Sequence, residues 1–372
     1  MKLRRSKHLV SYWTDRGAVI SNYATGESVL ADSLVTHVLT LCGDWTPAAA
    51  LRRQLTGVGR DTIDPLLRSM VKHSLLVRSD ARGTRSDRRE RALESWADWN
   101  PAAGFFHFST KNLPVPKNRE RAERALREER QTRGSPPQVK RYAGARTVPL
   151  DPFRRDGEFA GVLLERRTWR WFSKEPVALA DIGALLGLAC GVQRTAESET
   201  SGTVHLKTSP SSGARQPLEA YLLAVNVAGL PAGLYHYVSD QHCLELVRPG
   251  ATPATIAKYV PGQWWYESAA ALFILTAVFG RTQWRYRFPR AYRSVLLEAG
   301  HVCQTFCLVA TWLGLAPFCT GRFSDVVVER EIKADGVTES FVYGAGVGRR
   351  PAGVDWAPWP PGAGLNDPRI SE

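Results

Sequence analysis

The sequence predicts an α+β layered C-terminal part behind a winged-helix-like N-terminal module, and three observations predict it. At 372 residues the chain exceeds what one compact core usually holds, so two parts are expected. After about residue 158, helical patterns over 158–167, 179–190 and 291–315 alternate irregularly with the strand-like runs AYLLAVNV, LYHYV, ALFILTAVF and SFVYGAGV. That mixed order suits an α+β fold better than a doubly wound sheet. Neither GxGxxG after a first strand nor GxxxxGK[ST] occurs, so no Rossmann site or P-loop is indicated.

From Ser33 to Val77, Leu34, Val38 and Leu41 share one helical face. Thr46-Pro47 is expected to open a second helix by cap and first-turn chemistry, and DTIDPLLRSMVKHSLLV to form a third that ends in a strand. The cadence is that of a winged helix, a shape that serves DNA binding, peptide docking or dimerisation. Residues 1–95 are therefore read as a winged-helix-like module whose shape does not by itself identify a ligand. Residues 96–150 are read as a connector and 151–372 as the catalytic domain. Within the connector, WADWNPAAGFFHFSTKNLP is too aromatic for a linker and is expected to pack on a domain or wall a pocket.

The chain carries 49 Lys and Arg against 36 Asp and Glu, a net charge of +13, which favours an anionic partner. Much of the excess sits in the runs 82–91 and 119–133, which read as solvated segments, so nucleic acid is not the expected partner. Six cysteines with no CxxC spacing point to a reduced, cytoplasmic setting, and no metal is expected. The N-terminus lacks an apolar signal core. Val295–Leu315 carries Glu298, His301 and Gln304 and reads as a buried helix, not a membrane span. His301 is expected to be a satisfied core histidine, and His236 a surface residue of a strand.

Two segments suit a phosphorylated, planar ligand. In Glu165-Arg166-Arg167-Thr168-Trp169-Arg170-Trp171-Phe172, arginines two to four positions apart around a hydroxyl can converge on one phosphate. In Pro210-Ser211-Ser212-Gly213-Ala214-Arg215-Gln216-Pro217, small residues let backbone N–H groups approach a ring or an anion.

In order along the chain, RRTWR, PSSGARQPLEAYLL, AGLYHY, YRSVLLEAGHVCQTFCLVATWLGL, APFCTGRF and GVGRR resemble the nitroreductase superfamily. More narrowly, they resemble its SagB-type dehydrogenases, the azoline oxidases of ribosomal peptide pathways. The resemblance covers roughly 150–351, with a looser match through FFHFSTK. It implies the α+β flavin fold, usually a homodimer with FMN at the subunit interface. It further implies that Arg166, Thr168 and Arg170 hold the phosphate and ribityl chain, with Arg167 in the same motif and Arg349 or Arg350 joining from the last strand. Ser211, Ser212 and Arg215 would lie near the flavin, and backbone at Thr320-Gly321 would approach its ring. Azoline oxidases of this kind carry a Lys-Tyr pair where this chain has Arg285-Tyr286. Tyr286 is the expected acid or base. Arg285 stays protonated and would act by lowering the pKa of Tyr286 or stabilising negative charge.

The implied activity is FMN-dependent oxidation of thiazoline or oxazoline rings in a precursor peptide, with a cyclodehydratase as a possible partner. An NAD(P)H-dependent reductase of nitroaromatic, quinone or dehydroamino-acid substrates is the alternative. A DNA- or protein-binding protein with a structural flavin domain is the third reading.

Overall fold

A computed structural model describes residues 1–81, 85–111, 157–198 and 202–354, together with positions 121, 124 and 128. Apart from those three positions, the basic run 119–133 and most of the connector lie outside the described residues.

The N-terminal module has its own core, in which Leu3 of strand Lys2–Arg5 meets Val38, Leu51, Ile63, Leu67 and Met70 from helices Ser33–Leu41, Ala48–Gln54 and Arg60–Lys72. Asp32 caps the first helix by accepting from the Val35 N–H. The second helix begins at Ala48 and not at Pro47 as its sequence suggested. The backbone of Thr46 and Pro47 pairs with Leu3 and Lys2, and the Thr46 hydroxyl donates to the Leu41 and Asp44 carbonyls, so Thr46 does not cap the helix and Pro47 takes the N-cap position with no side-chain hydrogen bond. Strand Lys2–Arg5 lies between Thr46–Pro47 and Leu76–Arg78. A second sheet, Leu9–Thr14, Gly17–Asn22 and Glu27–Leu30, precedes the helices. No pattern had announced its strands.

The catalytic half is built on a six-stranded sheet in the order Cys243–Pro249, Gly233–Val238, Leu218–Ala224, Ala271–Val278, Glu339–Arg349, Leu315–Thr320, antiparallel at every pairing. Alternation along a strand sends successive side chains to opposite faces. Ala220, Leu222, Phe273 and Leu275 meet helices Leu179–Cys190 and Ala291–Trp312 on one face. Tyr221, Leu223, Leu272 and Ile274 meet Tyr259, Trp265, Tyr266 and Val328 on the other. The result is a helix–sheet–helix sandwich in which the central strands are buried on both sides. Gly346 marks how tightly the layers close, since a Cβ there would stand 2.3 Å from the Phe318 ring.

The helix Ala291–Trp312 is long and apolar enough to cross a membrane, and half of that apolar stretch is buried within the fold. Its outer face leaves Leu297, Trp312 and His301 exposed. This corrects the expectation for His301, which is not in the core: positions 297, 301, 304 and 312 fall on the outward side of the helical wheel. Glu298 falls on the inward side.

Residues 93–108 are part of the same core. Leu93, Trp96, Trp99 and Ala103 pack with Phe279, Tyr292 and Val295. The Trp96 indole N–H donates to the Val337 carbonyl and the Trp99 indole N–H to the Tyr286 carbonyl. The aromatic run is thus a wall of the catalytic half.

Candidate functional site

The loop 211–216 is held by several independent contacts. Gly213 sits at φ +59, and two non-glycine residues, Ala214 and Gln216, also adopt left-handed backbone. Such conformations cost of order 1–3 kcal/mol each and persist where surroundings enforce them. Here the Ser211 hydroxyl accepts from the Gln216 N–H, Arg281 donates to the Gln216 carbonyl, and the Arg215 Nε donates to the Gly213 carbonyl. Arg215 also lies over the Trp284 ring, 5.1 Å from its centroid.

Behind the loop, Glu298 is buried with the Ser211 hydroxyl and the Ser212 backbone N–H as its partners. Burial raises its carboxyl from the ordinary 4.5 to about 7, against the opposing pull of Ser211, Lys207 and Ser212. The folded chain therefore holds a proton here that the unfolded chain loses at lower pH. This contribution to stability is complete below pH 4.5 and disappears as pH rises through about 7. Thermal unfolding across that window should show a decline in the wild type that is absent from Glu298→Gln.

The predicted catalytic pair meets this loop. A Cβ on Gly213 would lie 2.7 Å from Tyr286 Oη and 3.0 Å from Arg285 Cδ, so only glycine lets Tyr286 rest against the loop backbone. Ser211, Ser212 and Arg215 are thereby gathered with Arg285 and Tyr286, although the two segments are some seventy residues apart in sequence. Tyr286 is half-buried, and Arg285 is exposed.

The arginine cluster lies along the edge strand. The Trp169 N–H donates to the Pro317 carbonyl, and its buried indole anchors the segment. Alternation in an extended chain then places half-buried Arg166, Thr168 and Arg170 together on the other side. Arg166 bears on Cys307 and Cys319, while Arg170 bonds to Tyr266. The hydrogen bond with the Cys307 thiol, then that with Tyr343 and the Arg166 charge, pull the Cys319 thiol below its ordinary pKa against the opposing effect of burial. Arg350 lies over Trp169, 5.4 Å from the ring centroid, and donates to the Leu315 and Thr311 carbonyls. Arg349 turns instead to the Pro176 carbonyl, and exposed Arg167 curls back to the Leu164 and Arg166 carbonyls. Of the expected phosphate ligands, Arg166, Thr168 and Arg170 share one side of the segment, whereas Arg167 and Arg350 line a cavity with Trp169 and Arg349 turns to the Pro176 carbonyl.

Thr320 bonds to Gln263, and Gly321 lines a small cavity beside Tyr292. The loop and the arginine cluster meet different stretches of one helix, since Ser211 meets Glu298 while Arg166 bears on Cys307. At ~1.5 Å per residue those positions are about 14 Å apart. His236 is held between Glu219 and Glu245 at 2.9 and 3.2 Å, which raises its pKa and marks it as an ion-pairing strand residue. Among the described residues no three His, Cys, Asp or Glu side chains gather as a metal site.

Sequence reasoning missed the buried polar group of His107, Lys111, Glu329 and Ser340, whose members lie up to 233 residues apart. Only the aromatic texture of FFHFSTK hinted that this segment was internal.

Residues 163–349 match the model of the nitroreductase family. Over 172 residues the chain is 31% identical to a nitroreductase-type protein of Methanocaldococcus jannaschii, covering 46% of this chain and 82% of that protein. Over 168 residues it is 32% identical to the trifolitoxin-processing protein TfxB of Rhizobium leguminosarum bv. trifolii, covering 44% of this chain and 45% of TfxB. A chain from the structure of the E. coli microcin synthetase McbBCD complex with truncated pro-MccB17 bound superposes with a TM-score of 0.51 at 21% identity. That superposition covers 70% of this chain and 97% of the other, and it shows a shared fold.

Proposed function

We propose that this chain, which belongs to the nitroreductase family and is an oxidoreductase, uses FMN to dehydrogenate azoline rings in a ribosomally made peptide. The observation that carries the reading is the contact of Tyr286 and Arg285 with the Ser211–Gly213 loop, which puts an acid–base hydroxyl and a fixed cation beside a surface that only small residues can form. The likeness to TfxB, a protein named for processing trifolitoxin, supports a peptide as substrate.

The residues present fit FMN. Arg166 and Arg170 supply forked charge for the phosphate and Thr168 a hydroxyl between them, all three half-buried on one side of the segment. When bound, FMN supplies a two-electron acceptor for a hydride. The protein's own task is to orient the ring and exchange the accompanying proton, which falls to Tyr286 with Arg285 stabilising negative charge.

The separation of the loop from the arginine cluster supports a site completed by a second copy. The outward face of the long helix, with Leu297 and Trp312 exposed beside Phe159, offers an apolar surface for that homodimer. The N-terminal module would dock the precursor peptide or a cyclodehydratase, in the cytoplasm.

The first experiment is an absorption spectrum of the purified chain, with identification of any cofactor released on denaturation, followed by incubation with a synthetic thiazoline peptide. Released FMN and a mass loss of two hydrogens from the ring are expected. A colourless protein that does not take up FMN would overturn the reading. Arg166→Ala and Arg170→Ala should each weaken FMN binding by about 1–3 kcal/mol, and unchanged affinity in both would remove the phosphate assignment. The likeness to the archaeal nitroreductase-type protein favours the reductase as the second reading; NADPH oxidation coupled to a quinone, without change to the peptide, would select it.

A further inference from the structure

Ala214, Arg215 and Gln216 of the loop that meets Tyr286 also line a cleft of about 400 Å³, with Lys207, Glu219, His236 and Arg281 in its walls. That volume lies within the ~300–1,000 Å³ of small-molecule sites. Strand Gly202–Leu206 forms another wall and is tied to the loop where Gln216 Nε2 donates to the His205 carbonyl.

The cleft and the expected acid–base group share one stretch of chain. The short helix Phe279–Gln283 continues its winding to Tyr286, since the Trp284 N–H donates to the Gly280 carbonyl and the Tyr286 N–H to the Thr282 carbonyl. Arg281 and Arg285 are therefore one turn apart on the same face, about 5–6 Å between their Cβ atoms. Arg281 lines the cleft, while Arg285 and Tyr286 meet Gly213. Between them in the chain, Trp284 lies under the Arg215 guanidinium.

The charges around the cleft leave two cations over. Glu219 is engaged twice, with Oε2 2.9 Å from His236 Nε2 and Oε1 2.5 Å from Arg281 Nη2. Asp240 also lines the cleft but is exposed, where water and salt screen it. Among the described residues no carboxylate is ion-paired to Lys207 or Arg215, although both are half-buried. The Lys207 charge reaches Glu298 behind the loop, but burial raises that carboxyl to about 7, so it supplies only a partial counter-charge. Arg215 is fixed by its Nε bond to the Gly213 carbonyl and by Trp284, which leaves its two terminal nitrogens set to fork onto a carboxylate. A partly desolvated cation without a counter-charge gains when an anion arrives.

We propose that this cleft is the subsite for a carboxylate of the peptide substrate, with Lys207 and Arg215 as the specificity-determining residues that hold an aspartate or glutamate side chain beside the azoline. The inference rests on the dehydrogenase reading, because it takes the ring to lie at Tyr286. One helical turn separates Arg281 in the cleft from Arg285 at Gly213, and an extended residue spans roughly 3.5 Å. The carboxylate therefore belongs within one or two residues of the ring.

Three synthetic thiazoline peptides that differ only in Asp, Asn or Lys next to the ring test it on the full-length flavoprotein. The wild type should favour the Asp peptide over the Asn peptide by about 10-fold in kcat/KM, carried by KM. Lys207→Gln and Arg215→Gln should each bring that ratio towards one, and Lys207→Glu should place the Lys peptide ahead of the Asp peptide. A merely structural role would lower all three peptides alike and keep the ratio. Equal use of the three peptides by the wild type, or an unchanged ratio in both Gln variants, would overturn the proposal. Weakened NADPH binding in both variants with the peptide ratio intact would give these cations to a dinucleotide phosphate and overturn it as well. If no peptide reduces the wild-type flavin, the dehydrogenase reading fails and calorimetric titration with the same peptides decides the subsite. Tighter binding of the Asp peptide, lost in Lys207→Gln, then supports it, and equal binding of all three overturns it.

Discussion

Trp99→Ala is expected to cost about 3–5 kcal/mol of stability, the range for truncating a large buried aromatic side chain. Trp99 is fully buried, packs edge-on to Phe279 and Tyr292, and donates its indole N–H to the Tyr286 carbonyl. The variant therefore loses packing at the base of the long helix and also frees the segment that carries Tyr286. Denaturant unfolding should show the midpoint drop, and turnover under conditions where the variant remains folded should drop further than its stability alone requires. Trp99→Phe separates the two effects, because it refills most of the space and omits only the N–H. A loss near zero in Trp99→Ala would mean that residues 93–108 are not integral to the catalytic half.

The second large effect is expected at Tyr286. Tyr286→Phe deletes one oxygen, so folding and flavin content should change little, while turnover should fall by roughly 10²- to 10⁴-fold if that hydroxyl exchanges a proton with substrate. Gly213→Ala is its companion. A Cβ there stands 2.7 Å from Tyr286 Oη on backbone at φ +59, so the hydroxyl must move although it is chemically intact. A fall in both variants ties the activity to where Oη sits. Full activity in Tyr286→Phe would take Tyr286 out of the mechanism.

The sequence by itself determined what depends on local pattern and composition. The helices 179–190 and 291–312 and the central strands lie where periodicity and branched or aromatic runs placed them, because their buried faces repeat at helical or strand spacing. The resemblance carried in RRTWR, PSSGAR and the EAGH helix likewise pointed to the family, since those motifs are contiguous. The two-residue strand at Thr46–Pro47 and the hairpin strands before Ser33 were not legible: their pairing partners, not their own side chains, make them strands. His301 was misplaced because an apolar helix does not announce which side faces outward until its neighbours are known. Only the tertiary structure decided that Gly213 meets Tyr286, that Trp99 anchors the Tyr286 carbonyl, and that His107, Lys111, Glu329 and Ser340 form one buried network. The physical reason is that each of these is an accounting of hydrogen bonds and volume between segments far apart in the chain. A buried polar group must find its partner in space, wherever the chain has put it.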